Sequence, residues 1–520
     1  MRPSPRVRGL VVLAVLVAAA CSGDDTEPSS SPASTTGAGP TDTTAVPAAE
    51  GLPAEVVEFA DDWPTAGQDH DNTRAAADST ITAANVGDLE EVWRVDLPDA
   101  GALSTAPLVL GETVYLQGGS GQVVALDRAT GEELWASEPT GLNIGPFGVA
   151  VGDGRVYGMD GSTGVLALDL ADGGSLWATD ITATDTTGAD IQPVVADGLV
   201  IASSVPISIG GIYAPGDRGV VSALDAATGE VRWTFDTVDG DLWGHPEVNS
   251  GGGAWYPPVV DLDRRLVYVG VANPAPFPGT AEFPNGTSRP GHNLYTNSIV
   301  ALDLDTGELA WFHQVTPHDL FDRDQVHTLM ATLEDGSEVI VSAGKSGVLV
   351  GLDPDDGTVL WRAEVGVHDN DDLEELDGPT TVNPGTYGGI LTPPSTADGV
   401  LYAATVDAAT ELTPDETAYF GAPLGTEDGE VSAVDAATGE LLWEVDVPGD
   451  PLGATTVVND LVLTVLLDGT ILALDRADGG VVATFDAGGG VNGWPSVAGD
   501  VLFVPIGNTA PPQVLALGLP

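Results

Sequence analysis

The sequence is nearly free of cysteine and lysine. Of its 520 residues one is cysteine, and of its 16 basic residues one is lysine. A chain with a single thiol cannot form an internal disulfide, a multi-thiolate metal site or a Cys-x-x-Cys-His haem attachment. The 78 acidic residues give a formal charge of −62. Such a chain repels phosphate backbones, so nucleic acid is excluded as a partner; a solvated acidic surface and a docking surface for a cationic partner both remain open.

The N-terminus is typical of an export signal rather than of a fold. Arg2, Arg6 and Arg8 precede an apolar run at residues 10–20, which is too short to span a bilayer. The run ends at Cys21, the only cysteine, and resembles a bacterial lipoprotein signal with acylation of that sulfur. We therefore predict a signal peptide over residues 1–20, lipidation of Cys21 and a location at the outer face of the cell membrane. An ordinary secretory signal cleaved near Ala20 is the alternative.

The next segment has few large apolar residues and is rich in Ser, Thr, Pro, Ala, Gly and acid. It cannot bury enough surface to offset the entropy of ordering. We predict a disordered tether over residues 21–58, followed by a folded domain over residues 59–520.

One repeat organises the folded domain. It reads apolar-x-Ala-Leu-Asp, with Gly four residues and Trp eight residues after the Asp. The seven copies have their Asp at Asp127, Asp169, Asp225, Asp303, Asp353, Asp435 and Asp475, the last with Ala483 in the Trp place. The pattern predicts a β-hairpin, in which Asp bonds the local backbone, Gly supplies a positive φ, and Trp packs between neighbouring sheets.

An eighth copy is split between the two ends of the chain. The C-terminus supplies the Leu-Asp half as Leu515-Ala516-Leu517, and Val92-Trp93 near the N-terminus supplies the Trp half. Repeats of 40 to 50 residues are typical of four-stranded propeller blades. We predict an all-β, eight-bladed β-propeller, its ring closed by pairing of the N- and C-terminal strands. Two long intervals predict insertions at roughly residues 236–298 and 364–430, as loops on one face.

The repeat is similar to the tryptophan-docking motif of the quinoprotein dehydrogenases, which use pyrroloquinoline quinone (PQQ). Residues 63–74 and 85–89 resemble the N-terminal signature of that family, nearest the alcohol and polyvinyl-alcohol dehydrogenases. The resemblance spans residues 61–520. It implies PQQ and Ca²⁺ as cofactors, an alcohol as substrate, and a separate electron acceptor because the chain has no haem motif.

Site residues are carried over from this resemblance one by one. Trp255, in Gly251-Gly252-Gly253-Ala254-Trp255, matches the floor under the PQQ ring. Asn273 matches a calcium-ligating Asn, and its amide oxygen suits a hard cation. Lys345, the only lysine, matches the Lys that contacts the quinone oxygens. A packing Trp and a loop-capping Asn are the structural alternatives.

This sequence differs from the family pattern at two positions where the family has a carboxylate residue. His292 replaces the catalytic Asp in Gly291-His292-Asn293, and Ala214 stands at the place of the Glu ligand. The family's adjacent cysteine pair is also missing, at residues 117–121. We predict that His292 acts as the general base, because imidazole titrates near neutral pH, and that Asp217 or Asp319 replaces the missing ligands.

Three functions remain open from the sequence. The first is an exported PQQ-dependent alcohol dehydrogenase. The second is a non-catalytic propeller lipoprotein that acts as a binding or assembly scaffold. The third is a binding protein that keeps a PQQ-sized or sugar-sized pocket without turnover. A histidine metal site built from His313, His318 and His327 is a further, separate alternative.

Overall fold

The computed structural model describes residues 51–143, 145–209, 212–418, 424–425 and 427–520. The predicted signal peptide, Cys21 and residues 21–50 of the predicted tether lie outside the described residues. Within the described part, nearly all regular structure is strand, arranged as eight four-stranded antiparallel sheets, here called blades 1 to 8. The predicted eight-bladed β-propeller is confirmed.

Each blade is a meander of four strands, and its successive strands alternate in direction. Blade 1 comprises Leu108–Leu110, Thr113–Gln117, Val123–Asp127 and Glu133–Ala136; blade 2 comprises Ala150–Gly152, Arg155–Asp160, Gly164–Asp169 and Ser175–Asp180. Blade 3 comprises Val194–Ala196, Leu199–Pro206, Val220–Asp225 and Val231–Asp236; blade 4 comprises Val259–Asp261, Leu266–Val271, Ser298–Asp303 and Leu309–Gln314. Blade 5 comprises His327–Thr332, Glu338–Ala343, Val348–Leu352 and Val359–Glu364; blade 6 comprises Ser395–Ala397, Val400–Val406, Gly429–Asp435 and Leu441–Val447. Blade 7 comprises Thr456–Val458, Leu461–Val465, Thr470–Asp475 and Val481–Asp486.

Blade 8 is built from both ends of the described chain. Its first three strands are Ser496–Ala498, Val501–Ile506 and Gln513–Gly518, and its fourth is Glu90–Asp96. Glu90–Asp96 pairs antiparallel with Gln513–Gly518, from Glu90 opposite Gly518 to Asp96 opposite Gln513.

Each repeat Trp contacts the turn of the next blade. The Trp93 ring lies against Gly131, where an added Cβ would sit 2.7 Å from the ring, and Gly131 has a φ of +73°. The Trp93 indole also donates a hydrogen bond of 2.8 Å to Arg128 O in that turn. The same ring-on-glycine contact recurs at Trp135–Gly173, Trp177–Gly229, Trp233–Gly307, Trp311–Gly357, Trp361–Gly439 and Trp443–Gly479.

Ala483 stands at the position of the repeat Trp in blade 7, and the next blade has no turn on which a Trp ring could pack. It lies on the fourth strand of blade 7 and therefore precedes blade 8. The third and fourth strands of blade 8 come from opposite ends of the chain, so no Asp-x-x-Thr-Gly turn connects them. A Trp at position 483 would lack the glycine and carbonyl that the other rings use.

The segment of residues 53–80 contacts all eight blades, mostly at their first strands. Its backbone carbonyls accept hydrogen bonds from Val109 (blade 1), Val260 (blade 4), Met330 (blade 5), Thr396 (blade 6) and Val457 (blade 7). His70 Nε2 lies 2.8 Å from Val195 O in blade 3, and Glu55 accepts hydrogen bonds from the Asp153 and Gly154 amides in blade 2. In blade 8, Thr80 N donates to Gly499 O. We call residues 53–80 the axial segment.

The structure describes the last eight residues of the predicted tether. Residues 51–58, expected to be disordered, include the helix Ala54–Glu58, in which Val56 is buried. The helix packs on Ala150–Gly152 of blade 2. The polar composition concealed it, because the few apolar side chains here bury against a blade rather than in a local core.

The two predicted insertions also contain regular blade strands. Residues 236–298 include the first two strands of blade 4, so the insertions proper are residues 237–258 and 272–297. The second region divides into residues 365–394 and 407–428 in the same way. Accessory elements are Ala75–Ala76, Thr187–Ala189, Ser208–Ile209, Ile212–Tyr213, Ser250–Gly251, Pro274–Ala275, Thr380–Val382, Thr410–Leu412 and the 3₁₀ turns Val86–Asp88, Leu242–Gly244 and Pro284–Gly286. Among the described residues, no helix has the length and apolarity needed to cross a membrane.

Candidate active site

A cavity of about 220 Å³ lies over blades 2 to 5. Its walls come from the loops that precede first strands or follow second strands, and in a meander those loops share one face of the ring. Both pairs of insertions belong to the same set of loops. An apolar cavity of about 150 Å³ can hold benzene, so this cavity has room for a larger planar ring.

Lys345 is held between two aspartates at this cavity. Its Nζ lies 2.7 Å from Asp322 Oδ2 and 2.6 Å from Asp324 Oδ2, and both carboxylates are almost completely buried. The backbones also touch, because Lys345 N donates a hydrogen bond of 3.0 Å to Asp324 O. A Cβ on Gly344 would lie 1.8 Å from Asp324 O, so only glycine permits this approach. Lys345 and Asp324 line the cavity.

This cluster combines one ammonium group, on Lys345, with two carboxyl groups, on Asp322 and Asp324. Burial opposes the charge of Lys345, but the two carboxylates outweigh it and hold the pKa of Lys345 well above its usual range. Burial raises the pKa of Asp322 to about 8, against the opposing effect of Lys345. Burial raises the pKa of Asp324 as well, again against the opposing effect of Lys345, so the two carboxyl groups titrate as a pair.

Asp190 also lines the cavity and has a different environment. Its side chain is 7% exposed, and its Oδ1 has no hydrogen-bond partner. Burial alone raises the pKa of Asp190 well above its usual range. The cavity therefore holds two kinds of carboxyl group, one paired with an ammonium and one without a cation.

The predicted residues Trp255 and Lys345 line the same cavity. Asn273 adjoins them: it is 1% exposed, and its backbone N–H donates a hydrogen bond of 2.9 Å to Asp324 Oδ1. These residues fit PQQ in two respects, because Trp255 offers a flat aromatic surface and Lys345 a cation. Among the described residues, no group of three or more His, Cys, Asp or Glu side chains could hold a metal ion. A Ca²⁺ ion here would rely on Asn273, Asp324 and oxygens of the ligand.

The predicted base and the predicted replacement ligands lie elsewhere. His292 is exposed, on the loop between the second and third strands of blade 4, and does not line the cavity. Asp217 accepts a hydrogen bond of 2.9 Å from Thr184 Oγ1. Asp319 accepts hydrogen bonds from the amides of Phe321 and Arg323 and so shapes its own loop. Neither aspartate lines the cavity.

Sequence reasoning missed Asp190, Asp322 and Asp324. A usable signal existed for the last two, since they directly precede the first strand of blade 5 and therefore belong to a loop on the insertion face. The only lysine lies two strands later, after the second strand, on the same face. Asp190 carried no comparable signal, because its loop is short and lies outside the repeat.

Comparisons with known proteins show which families this chain resembles. A family profile described as the beta-propeller domain of glucose, ethanol and alcohol dehydrogenases matches residues 147–380. A second profile, outer membrane protein assembly factor BamB, matches residues 63–211 and 427–516.

The relatives include several dehydrogenases. Quinohemoprotein alcohol dehydrogenase ADH IIB of Pseudomonas putida is 30% identical over 59% of this chain and 47% of its own length. The quinohemoprotein alcohol dehydrogenase of Comamonas testosteroni is 27% identical over 84% of this chain and 70% of its own length. Polyvinylalcohol dehydrogenase of Sphingopyxis sp. is 24% identical over 86% of this chain and 72% of its own length. The chain thus spans about half of the first relative.

Solved structures show the same fold. The crystal structure of the Comamonas testosteroni enzyme superposes with a TM-score of 0.76 at 24% identity, covering 88% of this chain and 80% of that one. BamB from Moraxella catarrhalis gives a TM-score of 0.52 at 18% identity over 83% of this chain and 97% of that one. The predicted resemblance to the PQQ-dependent alcohol dehydrogenases, with polyvinyl-alcohol dehydrogenase among the relatives, is confirmed.

Proposed function

We propose that this chain, a relative of the PQQ-dependent alcohol dehydrogenases, oxidises an alcohol outside the cell membrane with PQQ as hydride acceptor. The observation that carries the proposal is the meeting of Trp255, Lys345 and Asp324 at one cavity. Ca²⁺ is part of the proposal through Asn273. The substrate is a small or polymeric alcohol, and electrons leave through a separate acceptor.

The residues have distinct roles in this proposal. PQQ, when bound, supplies a quinone that accepts hydride. Trp255 on the cavity wall would offer this ring a flat aromatic surface and would exclude water from that side. The Lys345 ammonium stabilises negative charge that develops on ligand oxygens, and it acts strongly because the site is buried. Asp324 Oδ1 or Oδ2 receives the hydroxyl proton of the alcohol.

The choice of Asp324 as base follows from position and environment. It is the carboxyl group of the cavity wall that pairs with Lys345, and burial raises its pKa above the usual range, against the opposing effect of Lys345. A base with a raised pKa accepts a proton more readily near neutral pH. The role of His292 stays a prediction, and its exposed position outside the cavity favours Asp324.

A PQQ titration of the lipid-free protein tests cofactor binding, with tryptophan fluorescence as the readout, with and without Ca²⁺. We expect saturable quenching that Lys345→Ala and Trp255→Ala lose. Trp243→Phe is the matched control, because Trp243 lies outside the cavity and donates a hydrogen bond to Leu294 O. Absence of quenching at high micromolar PQQ would overturn the dehydrogenase proposal.

The base is tested by turnover with an artificial electron acceptor. Asp324→Asn should lower kcat by about 10²–10⁴-fold, the usual contribution of general base catalysis, while His292→Asn should retain activity. The reverse pattern would assign the proton transfer to His292.

The cellular location forms a separate part of the proposal. We propose export with a lipid anchor at Cys21, so that the membrane contact is made through the lipid alone. Fractionation of cells that express the wild type and Cys21→Ser tests it: the wild type should sediment with membranes and the variant should not. Equal partition of the two would contradict lipidation.

A second candidate function rests on the BamB match, which covers blades 1, 2 and 7, nearly all of blade 8, and two of the four strands in each of blades 3 and 6. In that case the ring is a non-catalytic binding or assembly scaffold. This candidate predicts no PQQ quenching and no effect of Lys345→Ala beyond stability.

A further inference from the structure

Asp190 is a second polar anchor in the cavity, separate from the Lys345 cluster. It follows the accessory strand Thr187–Ala189, which pairs with the second strand of blade 3 and is thereby fixed in place. The side chain is buried, lines the cavity and leaves Oδ1 without a partner. A buried polar atom without a partner is costly, so a carboxyl group that lines a cavity and has such an atom is a candidate for a ligand contact.

The surroundings of Asp190 favour its neutral form. The charged and titratable groups near it are Lys345, Asp324, Tyr213 and Tyr256. The Lys345 ammonium pairs with Asp322 and Asp324 and not with Asp190. Burial is the one cause that acts on Asp190, and it raises the pKa. A neutral carboxyl can donate a hydrogen bond, which a carboxylate cannot.

We propose that Asp190 donates a hydrogen bond from a neutral carboxyl to an acceptor oxygen of the planar ligand in this cavity. The inference rests on the proposed function and deepens it, because it adds a specificity-determining residue. Lys345 and Asp190 then present two donors to one ligand. The cavity selects a planar molecule with two oxygen-bearing edges, and a ligand with a single polar edge leaves one donor unpaired.

Substitution by asparagine distinguishes a hydrogen-bond donor at position 190 from a general base. Asparagine has nearly the same shape and also donates, but it cannot accept a proton. Asp190→Asn should therefore bind PQQ within about threefold of the wild type, whereas Asp190→Ala should bind about tenfold more weakly or worse. Asp217→Asn is the matched control: Asp217 is 4% exposed and also has an unpartnered oxygen, but it lies outside the cavity.

The experiment is a PQQ titration of these four proteins by fluorescence quenching, together with infrared spectra of the ligand-free proteins near pH 7. The difference spectrum of wild type minus Asp190→Asn should contain a carbonyl band of one protonated carboxyl. Its presence with the stated order of affinities supports the inference.

Three results overturn it, and they are distinguishable. If the wild type fails to bind PQQ, the proposed function falls and the inference falls with it. If the wild type binds and both Asp190 variants bind equally well, or Asn is as poor as Ala, the inference alone falls. If the infrared band is identical in wild type and Asp190→Asn, the carboxyl is ionised and the donor role is wrong whatever the affinities.

Discussion

Lys345 and Asp324 form a salt bridge of 2.6 Å in which the lysine side chain is 14% and the aspartate side chain 2% exposed. Removal of one partner of a buried pair leaves an uncompensated charge. Lys345→Met should therefore lower the free energy of unfolding by about 3–5 kcal/mol, measured by guanidinium denaturation. The exposed pair Arg232–Asp225 supplies the control, since Arg232→Met should leave the transition unchanged. Equal changes in the free energy of unfolding for Lys345→Met and Arg232→Met would contradict the stabilising role of the buried Lys345–Asp324 pair.

The contact between Trp93 and Gly131 predicts a position-specific cost for alanine. Gly131→Ala imposes the backbone strain of a φ of +73° and also drives a Cβ into the Trp93 ring. Gly198→Ala imposes the same strain at a φ of +72°, but an added Cβ there meets no atom within 4 Å. The first substitution should cost roughly 1–3 kcal/mol more than the second, which is the usual range for overpacking. Equal losses of stability for Gly131→Ala and Gly198→Ala would show that the Trp93 side chain does not pack closely on the turn at Gly131.

Glu430 predicts a pH dependence of stability. It is 7% exposed and lies beside Asp407, and burial is the largest cause that raises its pKa to about 7. The folded state therefore keeps a proton that the unfolded state releases above about pH 4.5. Stability is lost as the pH rises through about 7.

Glu430→Gln removes this proton and keeps an acceptor for Thr405 Oγ1, which lies 2.7 Å from Glu430 Oε2. Its Tm should match the wild type near pH 4 and exceed it near pH 8. Glu440→Gln, an exposed change in the same blade, should show no such divergence. Parallel Tm profiles for wild type and Glu430→Gln would refute the assignment.

The hydrogen bonds of Arg74 predict that this side chain fixes the axial segment to blades 7 and 8. Its guanidinium is 1% exposed and donates hydrogen bonds to Ala66 O, Thr455 O, Thr456 Oγ1 and Pro495 O. Arg74→Met leaves these acceptors unpaired, so amide hydrogen exchange should accelerate in the axial segment and in the first strands of blades 7 and 8. Arg362→Met, at an exposed pair, should leave the exchange pattern unchanged. Unchanged exchange in Arg74→Met would show that the segment is held elsewhere.

The propeller was predictable from the sequence because its determinants are local and repeated. Asp127 accepts hydrogen bonds from the amides of Ala129 and Thr130, as the pattern predicted for every turn. The split eighth blade was predictable because each half keeps its side of the motif. The site was only half predictable, since Trp255 and Lys345 lie in family-like segments but the carboxylates do not.

The missed residues share a physical reason. Asp190 and Asp324 are separated by 134 positions in sequence and line one cavity because blades 3 and 5 belong to the same ring, so no local pattern links them. His292 lies outside the cavity although its motif matches, because a motif match fixes the order of residues and not which side chain faces the cavity.

The pairing of Glu90–Asp96 with Gln513–Gly518 has a consequence for biogenesis. Of the strands that form the blades, Glu90–Asp96 comes earliest in the sequence and its partner comes latest, so the ring cannot close until residues 513–518 have been synthesised. If the protein is transported as proposed, the ring then closes only after residues 513–518 have crossed the membrane.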